Sequence, residues 1–265
     1  MQNFNLHTHS VYSDGKSQPR EMVEEAIRQG LVKLGFSEHS PLPFNNNFSV
    51  KGERMPDYVA EIAALKEEFK DRIEILCALE ADYIPGVSET FAVTKEKYHL
   101  DYLIGGVHLV GRSANPDELW FIDGPKWEVY DEGLQKFFGG DIRKAVRCFY
   151  DQTNAMIEHE AFDIIAHFDK IKMHNRDRYF HEEEAWYRKM ALETLDLIRE
   201  KGIIVEVNTR GIYKKRYNGF YPSPWLMTEA HNMGIPMIVS SDAHHYSELT
   251  LEFDSAERAI AASRR

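Results

Sequence analysis

The feature that most constrains this chain is a repeated alternation. Short apolar or alternating runs are each followed by a longer stretch with helical character. Strands are predicted at residues 3–9, 32–39, 74–82, 102–110, 163–169, 203–209 and 236–244, and helices near 19–29, 54–70, 141–159, 182–201, 223–233 and from about 252. Pro19 and Pro56 stand near helix starts, and Gly30, Gly202 and Gly234 near helix ends, where each is favoured. Such repetition implies a parallel sheet with helices packed outside it. Seven strands suit a barrel slightly short of the usual eight, with an open doubly wound sheet as the competing architecture. No Gly-rich dinucleotide loop follows the first strand, where the open form most often shows one. No repeat, low-complexity tract or linker divides residues 1–265, so a single domain is expected, with an irregular insertion at about 111–140 that could cover a site.

Composition narrows the function. Hydrophobic residues make up 43% of the chain, ample for a core, yet no run approaches the ~18 apolar residues that a membrane span needs. The start, MQNFNLHTHS, lacks the basic and apolar regions of a secretory leader. Cys77 and Cys148 sit in apolar surroundings and read as free thiols in a reducing cytoplasm. A formal net charge of −11 argues against a broad nucleic-acid interface and leaves a small anionic substrate open.

The chain has 12 histidines, and their placement is informative. His7 and His9 lie two apart on a strand, so both face one side and can grip one ion. Asp242 and His244 repeat that spacing on the last strand. His39, His108 and His167 end three other strands, and Glu80 occupies the equivalent place on the third. In barrels of βα units, chemistry gathers at that end. A lone buried histidine there is ordinarily a hydrogen-bonded core residue, and His-x-His alone is a weak pattern. Six histidines and two carboxylates at one end of six strands are too many polar groups to desolvate without a strong partner. Imidazole and carboxylate without thiolate suit zinc, manganese or iron. His99, His159, His181 and His231, in helical or linking segments, read as structural.

Taken in order, His7-Thr8-His9, Asp14, Glu38-His39, Glu80, Gly106-Val107-His108, Ala166-His167-Phe168-Asp169 and Ser241-Asp242-Ala243-His244 resemble the motifs of the polymerase and histidinol phosphatase (PHP) superfamily. The resemblance runs from residue 7 to 244 and implies an α/β fold, a distorted (β/α)7 barrel. Residue by residue, it implies three divalent metal ions. His7, His9, Glu80 and Asp242 would hold the first. Glu80 would bridge to a second, completed by His108 and His167, and Asp14, His39 and His244 would hold the third. Glu38 would point away from the ions and support a neighbouring ligand.

Three divalent ions bring about +6 against about −3 from Asp14, Glu80 and Asp242, which leaves room for a phosphate dianion and a hydroxide. The expected chemistry is in-line attack on phosphorus by metal-bound hydroxide, without a phospho-enzyme. Asp242, His244 and Arg210 form the expected catalytic set. Arg210, Arg176, Lys172, Arg112 and Glu118 are the expected substrate contacts, since guanidinium binds phosphate through paired hydrogen bonds. His245 or Asp169 would protonate the leaving group.

Within the superfamily the chain is most similar to the stand-alone histidinol-phosphate phosphatases, through IGGVH (104–108), FIDG (121–124), AHFDKIK (166–172) and VNTRGIYKK (207–215). That resemblance implies hydrolysis of L-histidinol phosphate in histidine biosynthesis, with acidic and aromatic residues of the insertion facing the substrate's amine and imidazole. Gly106 and Arg210 stand where that branch often has Ser. The alternative is a phosphatase or phosphodiesterase for another small ester, a nucleotide or sugar phosphate. A catalytically retired barrel would lack ligands, and none is missing.

Overall fold

The computed structural model describes residues 2–264. Its strands are β1 (Phe4–Asn5), β2 (Lys33–His39), β3 (Glu74–Asp82), β4 (Tyr102–Gly106), β5 (Leu109–Val110), β6 (Trp120–Phe121), β7 (Ile164–Ile165), β8 (Ile204–Asn208) and β9 (Met237–Ser240). The helices are α1 (Pro19–Arg28), α2 (Met55–Phe69), α3 (Phe91–Tyr98), α4 (Trp127–Phe138), α5 (Ile142–His159), α6 (Ala185–Lys201), α7 (Arg210–Tyr213), α8 (Pro224–Asn232) and α9 (Phe253–Ala262). Among the described residues, seven strands form one sheet in the order β1-β2-β3-β4-β7-β8-β9, every neighbouring pair parallel. Past the ends of β1 and β9, a parallel bridge between Thr8 and Ala243 brings the first and last strands together. This is the expected seven-stranded barrel.

Helix boundaries follow local chemistry. Pro19 opens α1, where its missing N–H costs nothing, and Gln18 and Glu21 form a capping box. α6 stops at Gly202, whose φ of 68° suits a residue without Cβ. The helices pack Met22, Tyr58, Phe149, Leu195 and Leu226 against the outside of the sheet. Inside it a second apolar cluster, including Ala78, Tyr102, Ile104 and Ile164 with Leu76, fills the floor. Strand alternation places Leu76 and Ala78 on the same face as Glu80, so the barrel interior turns from apolar to ionisable along one strand.

Three expectations need correction. The ladder strands are shorter than predicted: 3–9 reduces to Phe4–Asn5, 163–169 to Ile164–Ile165, and 102–110 breaks into β4 and β5. Most of the predicted ligands therefore lie just beyond regular pairing, where His167 and Asp242 adopt positive φ (23° and 52°) that a ladder excludes. The insertion at 111–140 is not irregular throughout, because β6 pairs antiparallel with β5 and α4 follows. α4 depends on Gly133: a Cβ there would stand 2.1 Å from the Trp120 ring, whose Nε1 donates to Tyr130 O at 2.9 Å. Short helices α3 and α7 were also unpredicted. Cys77 and Cys148 are free, and burial pushes the Cys77 thiol up to about 12. No described helix is long and apolar enough to cross a membrane.

Candidate metal centre

Register builds the site. The β2–β3 pairing sets His39 beside Glu80, and the seam sets His9 beside Ala243, with His9 N donating to Ala243 O at 2.8 Å. Glu80 is the hub. Its Oε2 lies 3.2 Å from His7 Nε2, 3.5 Å from His9 Nε2 and 3.2 Å from His39 Nδ1. Its Oε1 lies 3.3 Å from His108 Nε2 and 3.0 Å from His167 Nε2. One carboxylate thus addresses two groups of imidazoles, the geometry of a bridge. Asp242 Oδ1 faces His9 Nε2 at 3.5 Å and His7 Nε2 at 3.9 Å. Asp14 Oδ1 lies 3.0 Å from His244 Nε2 and 4.0 Å from both His9 Nδ1 and His39 Nε2.

Ligand atoms converge in three groups: His9, Asp14, His39 and His244; His7, His9 and Asp242; and His39, Glu80 and His108. Buried His7 Nε2, His9 Nε2, His39 Nδ1 and Asp14 Oδ1 make no hydrogen bond despite these close approaches. Orphaned buried polar atoms are rare and demand a partner, and converging imidazole and carboxylate atoms fit divalent metal ions.

The electrostatics agree. Burial opposes charge on His39, but Glu80, Asp82 and Asp14 outweigh it and raise the imidazole to about 9. Against the same burial, Glu206, Glu80 and Asp242 raise His7, and Asp82 and Glu80 raise His108. Burial and the neighbouring His244 and His39 hold His9 down at about 3. Despite burial, Arg210 and His7 hold the Asp242 carboxyl far below its usual range, and His7, His108 and His39 do so for Glu80. Without metal, protons on His7, His39 and His108 balance these carboxylates.

Two buried carboxylates that the sequence reading missed orient the cluster. Glu206 accepts from His7 Nδ1 at 2.5 Å, from His167 N at 3.0 Å, from Asn208 Nδ2 at 3.1 Å and from Ser240 Oγ. Asp82 accepts from His108 Nδ1 at 2.5 Å. Because a carboxylate only accepts, each bond fixes the proton on Nδ1 and turns Nε2 toward Glu80. Period-2 spacing could have found both, since Asp82 follows Glu80 by two residues and Glu206 precedes Asn208 by two.

A cavity of about 240 Å³ opens over the cluster, lined by Asp14, His39, Glu80, His108, Asp242 and His244, and by Phe48, Phe121, Asp123, Lys170, Arg210 and Arg216. Among the expected substrate contacts, Arg210 is there, its Nη1 donating to Asp242 O at 2.5 Å. The others are elsewhere. Lys172 is buried off the cavity, 2.6 Å from Asp169. Arg176 is exposed and donates to Arg216 O. Arg112 and Glu118 are exposed, Glu118 accepting from Ser113 and Asn115. The suggested proton donors are also off the cavity, Asp169 holding Lys172 and Ser223, His245 beside Ser247. Lys170 and Arg216 take the places expected of Lys172 and Arg176. Lys170 Nζ donates to Asp123 Oδ2 at 2.7 Å, while Asp123 Oδ1 is buried without a hydrogen-bond partner.

The PHP domain model matches residues 5–210, more than half the chain. The chain belongs to the PHP family. A Deinococcus radiodurans relative named probable histidinol-phosphatase is 31% identical over 246 residues, 91% of this chain and 86% of the relative. The hisK protein of Listeria monocytogenes superposes with a TM-score of 0.81 at 19% identity, covering 95% of this PHP chain and 99% of that one. The histidinol phosphate phosphatase of Lactococcus lactis, solved with zinc, L-histidinol and phosphate, superposes with a TM-score of 0.71 at 24% identity, covering 99% and 94%. The PHP barrel expected from the motifs is the fold observed.

Proposed function

We propose that this PHP protein is a phosphoric monoester hydrolase that converts L-histidinol phosphate to L-histidinol and phosphate. It would act as a single domain with three divalent ions, zinc, manganese or iron, in the cytoplasm and without nucleic-acid partners. The observation that carries the reading is Glu80, whose two oxygens address opposite imidazole groups beneath a cavity that also gathers Arg210, Lys170 and Arg216. His7, His9, Glu80 and Asp242 would hold one ion, Glu80, His108 and His167 a second, and Asp14, His39 and His244 a third. Ions held there would supply Lewis acidity, lowering the pKa of a bound water from ~15.7 towards ~7 and drawing charge from phosphoryl oxygens.

The chain's own residues do the rest. Arg210 is anchored against the Asp242 carbonyl, so its remaining donors present a preset face to phosphate. Lys170 and Arg216 add positive charge at the cavity wall. The free Asp123 Oδ1 suits an ammonium donor on the leaving alcohol. Beside it the Phe48 and Phe121 rings stack at 5.9 Å, an apolar wall for a flat ring such as imidazole. The reading is supported further by the Deinococcus radiodurans and Lactococcus lactis relatives.

A panel of phosphate esters assayed with manganese or zinc tests the proposal, and histidinol phosphate should give the highest kcat/KM. A nucleotide or sugar phosphate that equals it would overturn the substrate while leaving the reaction type. No turnover of any monoester by metal-loaded protein would overturn both.

A further inference from the structure

Glu38 is fully buried on β2, next to His39 but on the opposite face of the strand, away from the ligands. Its carboxylate is occupied by donors from a single segment, the loop between β1 and α1. Ser10 N lies 2.9 and 3.0 Å from the two oxygens, Ser10 Oγ donates at 2.5 Å, and Ser13 Oγ donates to Oε2. That loop carries Asp14. It is folded tightly enough that a Cβ on Gly15 would stand 2.3 Å from His9 O, and Lys16 N donates to His244 O at 2.7 Å.

Asp14 differs from the other candidate ligands. Its side chain is 32% exposed, against at most 10% for His9, His39, His244 and Asp242. It also comes from a loop, whereas its partners extend from barrel strands. The position of Asp14 is therefore only as good as the position of the loop, and Glu38 is the buried carboxylate that fastens its Ser10–Ser13 part to the barrel, while Lys16 N on His244 O holds the far side.

We propose that Glu38 is a positioning residue that sets the occupancy of the metal site formed by Asp14, His39 and His244, so that this ion can be lost while the other two stay. The inference rests on the three-ion reading above. The dipeptide Glu38-His39 then serves one site twice, with His39 as a ligand and Glu38 as the anchor of the loop that delivers another.

The test measures metal, not turnover. Ions per chain are counted by mass spectrometry after dialysis, and stepwise affinities for zinc follow from competition with a chelating dye. Wild-type protein should hold three ions and E38A two, with the third-ion affinity lowered at least tenfold and the first two unchanged. E38Q, which keeps one acceptor oxygen for Ser10, should fall between them. D14A should match E38A, and the double variant should be no worse than either, because both act on one site. Three ions at unchanged affinity in E38A overturn the inference, as does proportional loss of all three. If E38A does not fold, S10A replaces it: removing the Ser10 Oγ bond to Glu38 should weaken only the third ion, by roughly tenfold, and no change overturns the proposal. A wild-type chain that holds only two ions refutes the three-ion reading itself, and the inference with it. Three ions in every variant refute the inference alone.

Discussion

Replacing Glu206 with Gln tests whether the centre is oriented from beneath. The change keeps shape and removes one acceptor and the charge. Glu206 receives four donors, His7 and Ser240 at Oε1, His167 N and Asn208 at Oε2. An amide nitrogen must replace one oxygen, and either orientation sets it against donors. The less costly orientation keeps oxygen toward His7 and turns nitrogen toward His167 N–H. Asn208 cannot simply turn to compensate, because its Oδ1 already holds Arg210 N at 2.9 Å. One or two buried donors are left unsatisfied, at about 1–3 kcal/mol each. Set against a typical stability of about 5–15 kcal/mol, the variant should fold, with a melting temperature lower by on the order of 10 °C. Loss of the carboxylate behind His7 Nδ1 should weaken metal binding about 10- to 100-fold. Chelator competition and thermal unfolding of metal-free protein report these effects separately. Metal affinity within about threefold of wild type would refute the role assigned to Glu206.

Stability should depend on pH in opposite senses with and without metal. In the metal-free chain His39 is raised to about 9, so its stabilising protonation is complete below about 6.5 and lost as pH rises toward 9. Metal needs the unprotonated imidazole, so its stabilisation grows over the same interval. The gap in melting temperature between loaded and chelated protein should widen from pH 6.5 to 9; a constant gap refutes the competition between protons and metal. Lys172→Met should leave KM for histidinol phosphate unchanged but destabilise the fold by about 3–5 kcal/mol, because it strands the buried Asp169 carboxylate. A raised KM at unchanged stability would return Lys172 to the substrate site.

The clustering of the candidate ligands was legible because pairs two apart on apolar strands share a face, and few buried roles other than metal binding need so many. Strand ends were not, since pairing stops where tertiary demands at His167 and Asp242 force positive φ. α4 was hidden because its aromatics and Gly133 read as a loop until Trp120, on the neighbouring strand β6, packs against them. Choosing Lys172 over Lys170 failed for a geometric reason. Lys170–Lys172 is a 3-10 turn, in which residues two apart point in different directions, so only one faces the cavity. Glu206 and Asp82 carry the right spacing but make no contact that a ligand motif encodes.

The Thr8–Ala243 seam also orders events during synthesis. Chains emerge from the ribosome N-terminus first, at about 5–20 residues per second, so His7 and His9 are made long before Asp242 and His244 exist. Until those two residues arrive the seam cannot close, and two of the three groups of converging atoms, those that contain Asp242 or His244, are incomplete. Any ion held by those two groups would therefore be chosen only once the final strand docks, from the ions available at that moment rather than those met first.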